Sequence, residues 1–356
     1  MTLKFTNLSL AALAVFATAG GAHAQSSVTV YGLTDLGMDY TDNANAAKKS
    51  VMRMTSGGMN TSRWGFRGTE DLGGGLSAIF NFEGGLLLDT GGSDGVVFKR
   101  QAWVGLDGAY GRVVMGRSFT SVYDFLLPFD PMGYAPSYSW ATSGNATSPS
   151  KYGMTTAFDN LVKYSVGVGP MKFGATYGFG EQTTGASESA KLALATSYTN
   201  GPFALVATYE EINGNDLPAT GRRDKTTATH LGASYTNGPL KLMAAARDYK
   251  LVAGKALTAD VRGTLYWTGV TYQTTPAVLL TGAVYYQDVK NVAVNTDADP
   301  IMFVGRVRYA LSKRTDLYVA AAYAKAKNDK LVSLSRDDAG FDSTQRGVIA
   351  GVQHRF

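Results

Sequence analysis

The sequence has no cysteine, and its 356 residues include only 10 prolines and 3 histidines. Without cysteine it can form neither a disulfide framework nor a thiolate metal site, and it has no thiol nucleophile. After Ala24 there is no run of about 18 apolar residues, the length that an apolar helix needs to cross a bilayer. Glycine and tyrosine are instead frequent, with 42 and 20 residues. This composition disfavours a soluble chain with continuous apolar cores.

The N-terminus has the pattern of a secretory signal peptide. Lys4 is followed by an apolar stretch from Leu8 to Ala19 and then by Ala22-His23-Ala24. The stretch is too short to span a bilayer, and an Ala-x-Ala end is typical of a cleavage site. We therefore expect residues 1–24 to be a signal peptide and the mature chain to begin at Gln25. A buried N-terminal helix is the alternative, but no helical pattern continues beyond this stretch.

The remaining sequence alternates between apolar and polar positions over segments of about ten residues, which is typical of a transmembrane β-barrel. One face is repeatedly apolar and carries Val28, Val30, Leu36, Met38, Phe173, Tyr177, Phe203, Leu205, Phe303, Val307 and Tyr309. The opposite face is polar or small and carries Asp35, Asp39, Arg63, Arg67, Asn81, Glu83, Arg306 and Arg308. A soluble β-sandwich would alternate too, but about 16 such segments, bordered by tyrosines, favour an even-stranded barrel with interfacial aromatic girdles.

The connections alternate between short and long. Short turns such as Asn200-Gly201-Pro202 and Asn237-Gly238-Pro239 suit tight hairpins. The long polar connections are residues 180–190, 212–225, 289–300 and 326–344. Residues 118–153 show no strand pattern at all, and a stretch of that length is usually functional. We expect short periplasmic turns at one end of the barrel and long external loops at the other.

Several segments, taken together and in order, resemble the trimeric general porins of the Gram-negative outer membrane, most closely the β-proteobacterial type. They are SSVTVYGLTDLG (26–37), SRWGFRGTEDLGGGLSAIF (62–80), RQAWVGL (100–106), GRSFTSVYD (116–124), LSKRTDLYVAAAY (311–323) and the terminal GVQHRF. The resemblance extends over the whole chain after residue 24. The central loop lacks the Pro-Glu-Phe-Phe run of the enterobacterial type, and Pro128-Phe129-Asp130 is its nearest local analogue.

The resemblance implies an all-β fold, a 16-stranded antiparallel transmembrane β-barrel spanning residues 25–356 and assembled as a homotrimer. It implies that the third external loop, here residues 118–153, folds into the pore and constricts it. It also implies that a terminal aromatic residue, here Phe356, is read by the barrel-assembly machinery. In the family the first strands and the second loop, about Gly84 to Val97, form the subunit contact.

The inward-facing basic residues carry the most informative chemistry. Strand parity places Arg63 and Arg67 on the lumen side, because an arginine facing lipid near the midplane costs roughly 2–4 kcal/mol. The residues expected on a basic pore wall are Arg53, Arg63, Arg67, Arg100, Arg117 and Lys163. Asp124 and Asp130 of the loop are expected to face them, and rings of basic residues in a narrow pore favour anions. The alternative is that each is an ordinary solvated lumen residue.

Arg306 and Arg308 point inward by the same parity and either continue the basic wall or pair with acids on neighbouring strands.

Catalysis has little support, because only His230 and His354 follow the signal peptide and no serine elbow is present. The acidic stretches 288–299 and 337–342 lack regular metal-ligand spacing, so solvated loops are favoured over calcium sites. Basic residues are spread along strands and not on one exposed face, which disfavours nucleic-acid binding.

The sequence therefore predicts an outer-membrane, non-enzymatic diffusion channel without metal or cofactor. It would pass small hydrophilic solutes and inorganic anions and would lie among outer-membrane lipid and lipopolysaccharide. The alternative is a surface barrel that acts as an adhesin or receptor through its external loops. The position of the 118–153 loop discriminates between them, since a loop inside the lumen indicates transport.

Overall fold

Antiparallel strands make up almost all of the structure. The computed structural model describes residues 27–142, 152–183, 185–217 and 220–356, so the predicted signal peptide at 1–24 lies outside the described residues. Within the described residues, sixteen strands form the wall, and the second is in two parts because both of its halves pair with the first strand.

The strands are β1 (Ser27–Thr41), β2 (Val51–Ser56 and Arg63–Gly73), β3 (Leu76–Leu87), β4 (Gln101–Gly108), β5 (Gly111–Phe119), β6 (Ala157–Val168), β7 (Met171–Gly178), β8 (Lys191–Asn200), β9 (Phe203–Leu217), β10 (Arg222–Asn237), β11 (Leu240–Val252), β12 (Val261–Gln273), β13 (Val278–Lys290), β14 (Ile301–Ala310), β15 (Thr315–Lys325) and β16 (Thr344–Arg355). A two-residue segment, Gly92–Ser93, pairs with the end of β3 inside the second long loop.

The two ends of the sheet meet and close the barrel. In the pairing of β1 with β16, Leu33 lies opposite Arg355 and Thr41 lies opposite Gly347. Every other strand pairs with its neighbours in sequence. Closure leaves no open edge, which a sheet inside a bilayer requires because lipid cannot hydrogen-bond to the backbone. The predicted 16-stranded antiparallel barrel is confirmed.

The alternation of the sequence corresponds to the two faces of the wall. Val28 and Val30 of β1 are 67% and 58% exposed on the outside, whereas Asp35 of the same strand is fully buried on the inside. Outward apolar side chains recur in the other strands, for example Phe203, Phe303 and Tyr309. The outer surface therefore suits lipid, and the polar groups are kept within the lumen.

One predicted loop is wrong. Residues 212–225 were expected to be a long external loop, but β9 continues to Leu217 and β10 begins at Arg222. The reason is electrostatic, because oppositely charged residues face each other across this hairpin. Arg223 contacts Asp216 at 2.8 Å and Lys225 contacts Glu211 at 2.9 Å. Such cross-strand pairs stabilise a ladder that the polar composition alone suggested would end.

The apolar core lies inside the barrel. The connection between β5 and β6, residues 120–156 and here called loop 3, runs within the lumen, and its residues 143–151 lie outside the described residues. It begins with helix α1 (Ser121–Leu126) and a short 3₁₀ turn (Leu127–Phe129). Its buried side chains pack against inward residues of the far wall, including Trp267 and Tyr285. Among the described residues, no helix is both long and apolar enough to cross a membrane.

Side chains of the wall fix loop 3 by donating to its carbonyl oxygens. Lys241 of β11 reaches the carbonyl of Pro128 at 2.6 Å, and Trp267 of β12 reaches that of Phe129 at 3.0 Å. At the start of the loop, the Ser121 N–H donates to the Thr176 hydroxyl of β7. Because a loop in the lumen lacks a strand partner, these side chains satisfy backbone groups that would otherwise be unpaired.

Asp130 holds the centre of loop 3 together. Its carboxylate is buried and accepts from the backbone N–H groups of Met132 and Tyr134 and from the hydroxyls of Ser139 and Tyr285. Burial raises the pKa of this carboxyl, while these four donors act to lower it. The carboxylate thus joins three points of the loop to the opposite wall.

We expect Asp130→Ala to release loop 3 from the β13 wall. Four buried donors would lose their acceptor, which costs about 3 kcal/mol or more in the stability of the docked loop. Single-channel recording should show a larger, noisier conductance, and the temperature at which the barrel unfolds in detergent should fall. Asp260→Ala, which removes a partly exposed acid of an external loop, is the control. A quiet, unchanged conductance in Asp130→Ala would contradict the assigned role.

Candidate functional site

A cavity of about 820 Å³ lies between loop 3 and the wall formed by the first strands. Its lining brings together residues from distant parts of the sequence. Charged and aromatic members are Arg63, Glu83, Asp94, Lys99, Arg100, Arg117, Phe119, Tyr123, Asp124, Tyr134, Glu210, Tyr249, Arg336 and Asp337. We call the part around Arg63, Glu83, Arg100 and Tyr123 the constriction site.

Glu83 is the centre of the constriction site. Its carboxylate accepts from Arg100 Nε at 2.7 Å and from the Tyr31 hydroxyl at 2.8 Å, and Arg63 Nε lies 3.7 Å away. Arg63 Nη1 also donates to the Asn60 side chain at 2.8 Å. Two arginines therefore share one buried carboxylate, which leaves one positive charge without an acidic partner in contact.

Aromatic side chains hold Arg100 in place. Its guanidinium lies over the Phe119 ring at 5.1 Å, and the other neighbour of that ring is Tyr123 of α1, stacked at 4.4 Å. Burial raises the pKa of the Tyr123 phenol, whereas the fields of Arg100, Arg336 and Arg63 act to lower it. Tyr123 thus lies within the field of three arginines that come from separate parts of the chain.

Other basic residues around the cavity each have a carboxylate of their own. Lys163 contacts Asp124 at 2.8 Å, and Arg117 contacts Asp159 at 2.5 Å. Lys99 similarly pairs with an acid of its own loop. These pairs contribute little net charge to the passage. Asp124 lies in α1 of loop 3, where its carboxylate forms an ion pair with Lys163 of the wall.

Three of the residues predicted for the constriction lie elsewhere. Asp130 is buried on the far side of loop 3, where backbone N–H groups and hydroxyls of its own loop and β13 surround it. Arg53 bridges Asp39 and Asp338 at the external mouth. Arg67 is exposed nearer the turn end of β2, with its guanidinium over the Tyr31 ring at 5.1 Å.

Arg306 and Arg308 lie on β14, four strands away from β2 around the closed sheet. They line a second cavity of about 130 Å³, nearer the short-turn end of the barrel. Asn60 and Gly133 border both cavities. Asn60 belongs to residues 57–62, which interrupt β2. The backbone N–H groups of Met59 and Asn60 donate hydrogen bonds to the buried carboxylate of Asp35. The section between Asn60 and Gly133 therefore separates the part of the lumen at the long-loop end from the part at the short-turn end.

Three residues of this site could not be predicted from the sequence. Strand alternation predicted that Glu83 and Asn81 are polar residues facing the lumen. The sequence of their own strand could not show that the Glu83 carboxylate contacts two arginines. Arg336 comes from the last long loop, whose irregular sequence gives no side-chain direction, and its backbone N–H bonds to the carbonyl of Pro136 of loop 3. Asn60 lies in the interruption of β2, which parity alone did not indicate.

The histidines do not form a catalytic arrangement in the part of the chain that the structure describes. His230 is fully buried, and its Nδ1 contacts the Thr208 hydroxyl at 2.9 Å. His354 lies near the end of β16 and contacts the Thr315 hydroxyl. No group of acids and histidines within the described ranges could hold a metal ion. Acids of the long loops pair with lysines instead, as Asp299 does with Lys327 at 2.9 Å.

A closed barrel with an apolar outer surface, a polar lumen and a loop across that lumen defines a membrane-spanning channel protein. A family model described as Gram-negative porin matches residues 9–329. The chain therefore belongs to the Gram-negative porin family, and its localisation is the outer membrane.

Individual relatives agree with this assignment. An outer-membrane porin of Bordetella pertussis is 34% identical over 255 residues, and the alignment covers 64% of each chain. Outer-membrane porin 32 of Delftia acidovorans is 37% identical over 203 residues, and the alignment covers 55% of this chain and 57% of the relative. The alignments thus span about three fifths of these relatives. The solved structure of an anion-selective porin from Comamonas acidovorans is similar with a TM-score of 0.80 and 27% identity, and the match covers 93% of this chain and all of that one. These relatives are channel proteins and not enzymes.

We expect Glu83→Gln to increase the preference of the pore for anions. The substitution removes the one carboxylate that Arg63 and Arg100 share, while the amide oxygen still accepts a hydrogen bond. The chloride-to-potassium permeability ratio should rise roughly two- to fivefold, the effect of about 1 kcal/mol of electrostatic interaction. Reversal potentials under a salt gradient measure this ratio. Asp94→Asn, a cavity carboxylate that is paired with Lys99, should change it less, and an unchanged ratio in Glu83→Gln would speak against the constriction site.

Proposed function

We propose that this chain is a passive general diffusion porin for small hydrophilic solutes that prefers inorganic anions. The observation that carries the proposal is the shared carboxylate, because two arginines and one glutamate at the constriction leave an excess positive charge. The similarity to a porin that is itself anion-selective supports it. Loop 3 lies inside the lumen, where it restricts passage, and this position disfavours the alternative of an adhesin or receptor.

Permeation in such a pore follows from electrostatics and size. Water fills the space between the first strands and loop 3, and the low-dielectric walls focus the field of the arginines into it. The guanidinium N–H groups that face the cavity replace part of the hydration of a passing anion. Arginines that are paired with a carboxylate repel cations only weakly. The preference for anions is therefore set by the arginines that lack a carboxylate of their own. No cofactor or energy source takes part.

Charge selectivity provides the direct test. Arg63→Gln and Arg100→Gln should each move the reversal potential under a potassium chloride gradient toward zero, and the double variant should move it further. Arg67→Gln is a matched control, since Arg67 lies on the same strand as Arg63 but outside the cavity. High salt should shrink the wild-type preference through screening. A wild-type pore that prefers cations would overturn the proposed selectivity, and an equal effect of Arg67→Gln would contradict the assigned position.

We also propose that the chain acts as a homotrimer. An aromatic patch of Trp64, Phe66, Phe82 and Phe98 covers the outside of β2 and β3, with ring centroids 5.2–6.4 Å apart. Phe98 belongs to the second long loop, whose Val96 is 74% exposed nearby. Continuous aromatic surface of this kind suits contact with protein, and the loop is placed to reach a neighbouring subunit.

The oligomeric state can be measured on the protein extracted in mild detergent. We expect a species of three chains before heating and a monomer after it. Val96→Asp in the second loop should lower the temperature at which the larger species dissociates, whereas Val294→Asp, in an exposed part of another external loop, should not. A monomer before heating would exclude a stable trimer.

We further propose that Phe356 serves assembly and that the barrel-assembly machinery reads it. Its backbone exchanges two hydrogen bonds of 3.2 Å with Gly32 at the closing seam. Its ring lies outside, directly over Gly32, where an added Cβ would be 2.3 Å from the ring. A terminal aromatic side chain on the lipid side of the last strand is accessible to a second barrel.

Deletion of Phe356 should reduce the amount of folded barrel in the outer membrane several-fold. Tyr309→Ala is the control, because Tyr309 and Phe356 are 48% and 47% exposed on the same outer surface. Folded protein is quantified by its heat-dependent mobility on gels of isolated membranes. If the folded amount stays unchanged and single-channel conductance falls instead, Phe356 has a role in permeation and not in assembly.

A further inference from the structure

The smaller cavity on the periplasmic side of the constriction has the properties of a binding site. It has a volume of about 130 Å³, enough for roughly four water molecules. The guanidinium groups of Arg306, Arg308 and Arg355 line it together with the polar side chains of Tyr318, Gln353 and Asn60. Within the described part of the chain, no acidic side chain lines it.

The three arginines have too few acidic partners to neutralise them. Arg355 contacts Asp316 at 2.6 Å, and Arg308 approaches the same carboxylate at 3.9 Å. Arg306 forms no ion pair with a described residue. Its Nε is buried without a hydrogen-bond partner, and its Nη1 makes only a long contact of 3.4 Å with the carbonyl of Met132.

The other acids near Arg306 are already occupied. Asp130 accepts from four groups of loop 3 and β13. Asp35 accepts from Tyr318 at 2.6 Å, from Gln353 at 2.9 Å and from two backbone N–H groups. Both carboxylates lie behind the cavity wall. They moderate the positive potential, but all four of their oxygens already accept hydrogen bonds. Arg355 donates to Asp316 and Gln353, so the donors available to a ligand belong mainly to Arg306 and Arg308.

Guanidinium groups that lack an acidic partner in contact favour an anion beside them, because an anion supplies both the opposite charge and hydrogen-bond acceptors. Guanidinium groups match planar or tetrahedral oxyanions through several directed hydrogen bonds, which a spherical chloride ion cannot exploit to the same degree. Three guanidiniums that converge on a space of this volume can surround one small oxyanion. The site would also receive ions directly from the constriction, because Asn60 and Gly133 border both cavities.

We propose that the cavity between Arg306, Arg308 and Arg355 is a binding subsite for a tetrahedral oxyanion such as sulfate or phosphate. The proposal rests on the proposed function of an anion-conducting pore and adds a place where one class of anion pauses after it has passed the constriction site. An oxyanion held there lies against the narrow section and interrupts the flow of chloride.

Block of the chloride current by sulfate tests the subsite. Wild-type channels in a planar bilayer with potassium chloride should show brief closures when potassium sulfate is added at constant ionic strength. Arg306→Gln should raise the sulfate concentration for half block by about tenfold or more, the effect of losing one charge-assisted hydrogen bond. Phosphate is the second probe and should follow sulfate. Arg67→Gln, another lumen arginine of the periplasmic half, should leave the block unchanged.

Each outcome decides between the subsite and the wider function. Anion preference in potassium chloride alone tests the proposed function, so a wild-type channel that prefers chloride but is not blocked by sulfate or phosphate overturns the subsite only. An unchanged half-block concentration in Arg306→Gln overturns it as well. Correct folding of each variant is checked by heat-dependent gel mobility. If Arg306→Gln does not fold, Arg308→Gln replaces it, with the same expected direction and the same overturning result.

Discussion

Lipid offers no hydrogen-bond partner to a polypeptide backbone, and this constraint governs the structure from wall to pore. A sheet satisfies it only when its first and last strands pair, as β1 and β16 do from Leu33 to Thr41. Closure then fixes the direction of every side chain, because alternate residues must face lipid or lumen. The apolar side chains that a soluble protein would place in its core are on the outside here, and the interior is left polar and open.

A lumen enclosed by sixteen strands can be narrowed only by a segment that has no strand partners of its own. Loop 3 has this role, and the wall supplies what its backbone lacks. Carbonyl groups of the loop accept hydrogen bonds from Lys241, Trp267 and Arg247 of the wall. Backbone N–H groups of the loop donate to the Asp130 carboxylate. The loop in turn gives the barrel its apolar core, in which Trp140 and Tyr138 are buried against the wall and the last long loop. The contacts that bury the loop are therefore also those that hold it in the lumen.

The sequence determines the wall more directly than the constriction. Alternation alone placed Phe303 outside and Arg306 inside, because the period of a strand is fixed by its geometry. The same rule could not distinguish the environments of Asp124 and Asp130, since both lie on an irregular loop. Only the path of loop 3 shows that Asp124 contacts Lys163 and that Asp130 is buried. The rule also could not show that Arg336 and Glu83, about 250 positions apart, line one cavity. The prediction of a loop at residues 212–225 was wrong for a related reason. The cross-strand ion pair of Arg223 with Asp216 depends on the register of the two strands, which the sequence alone does not give.

Counting charges does not explain how this lumen could discriminate between ions. The basic and acidic residues around the larger cavity are similar in number, and most are joined in pairs such as Lys163 with Asp124. A pair at contact distance has a field that decays quickly, so a passing ion experiences mainly those charges that share a partner or have none. Arg63 and Arg100 share Glu83 on one side of the narrow section, and Arg308 and Arg355 share Asp316 on the other. The excess positive charge is therefore concentrated on both sides of the section at Asn60 and Gly133 that the two cavities share, and this is where arginines without an acidic partner of their own have the largest effect on an ion.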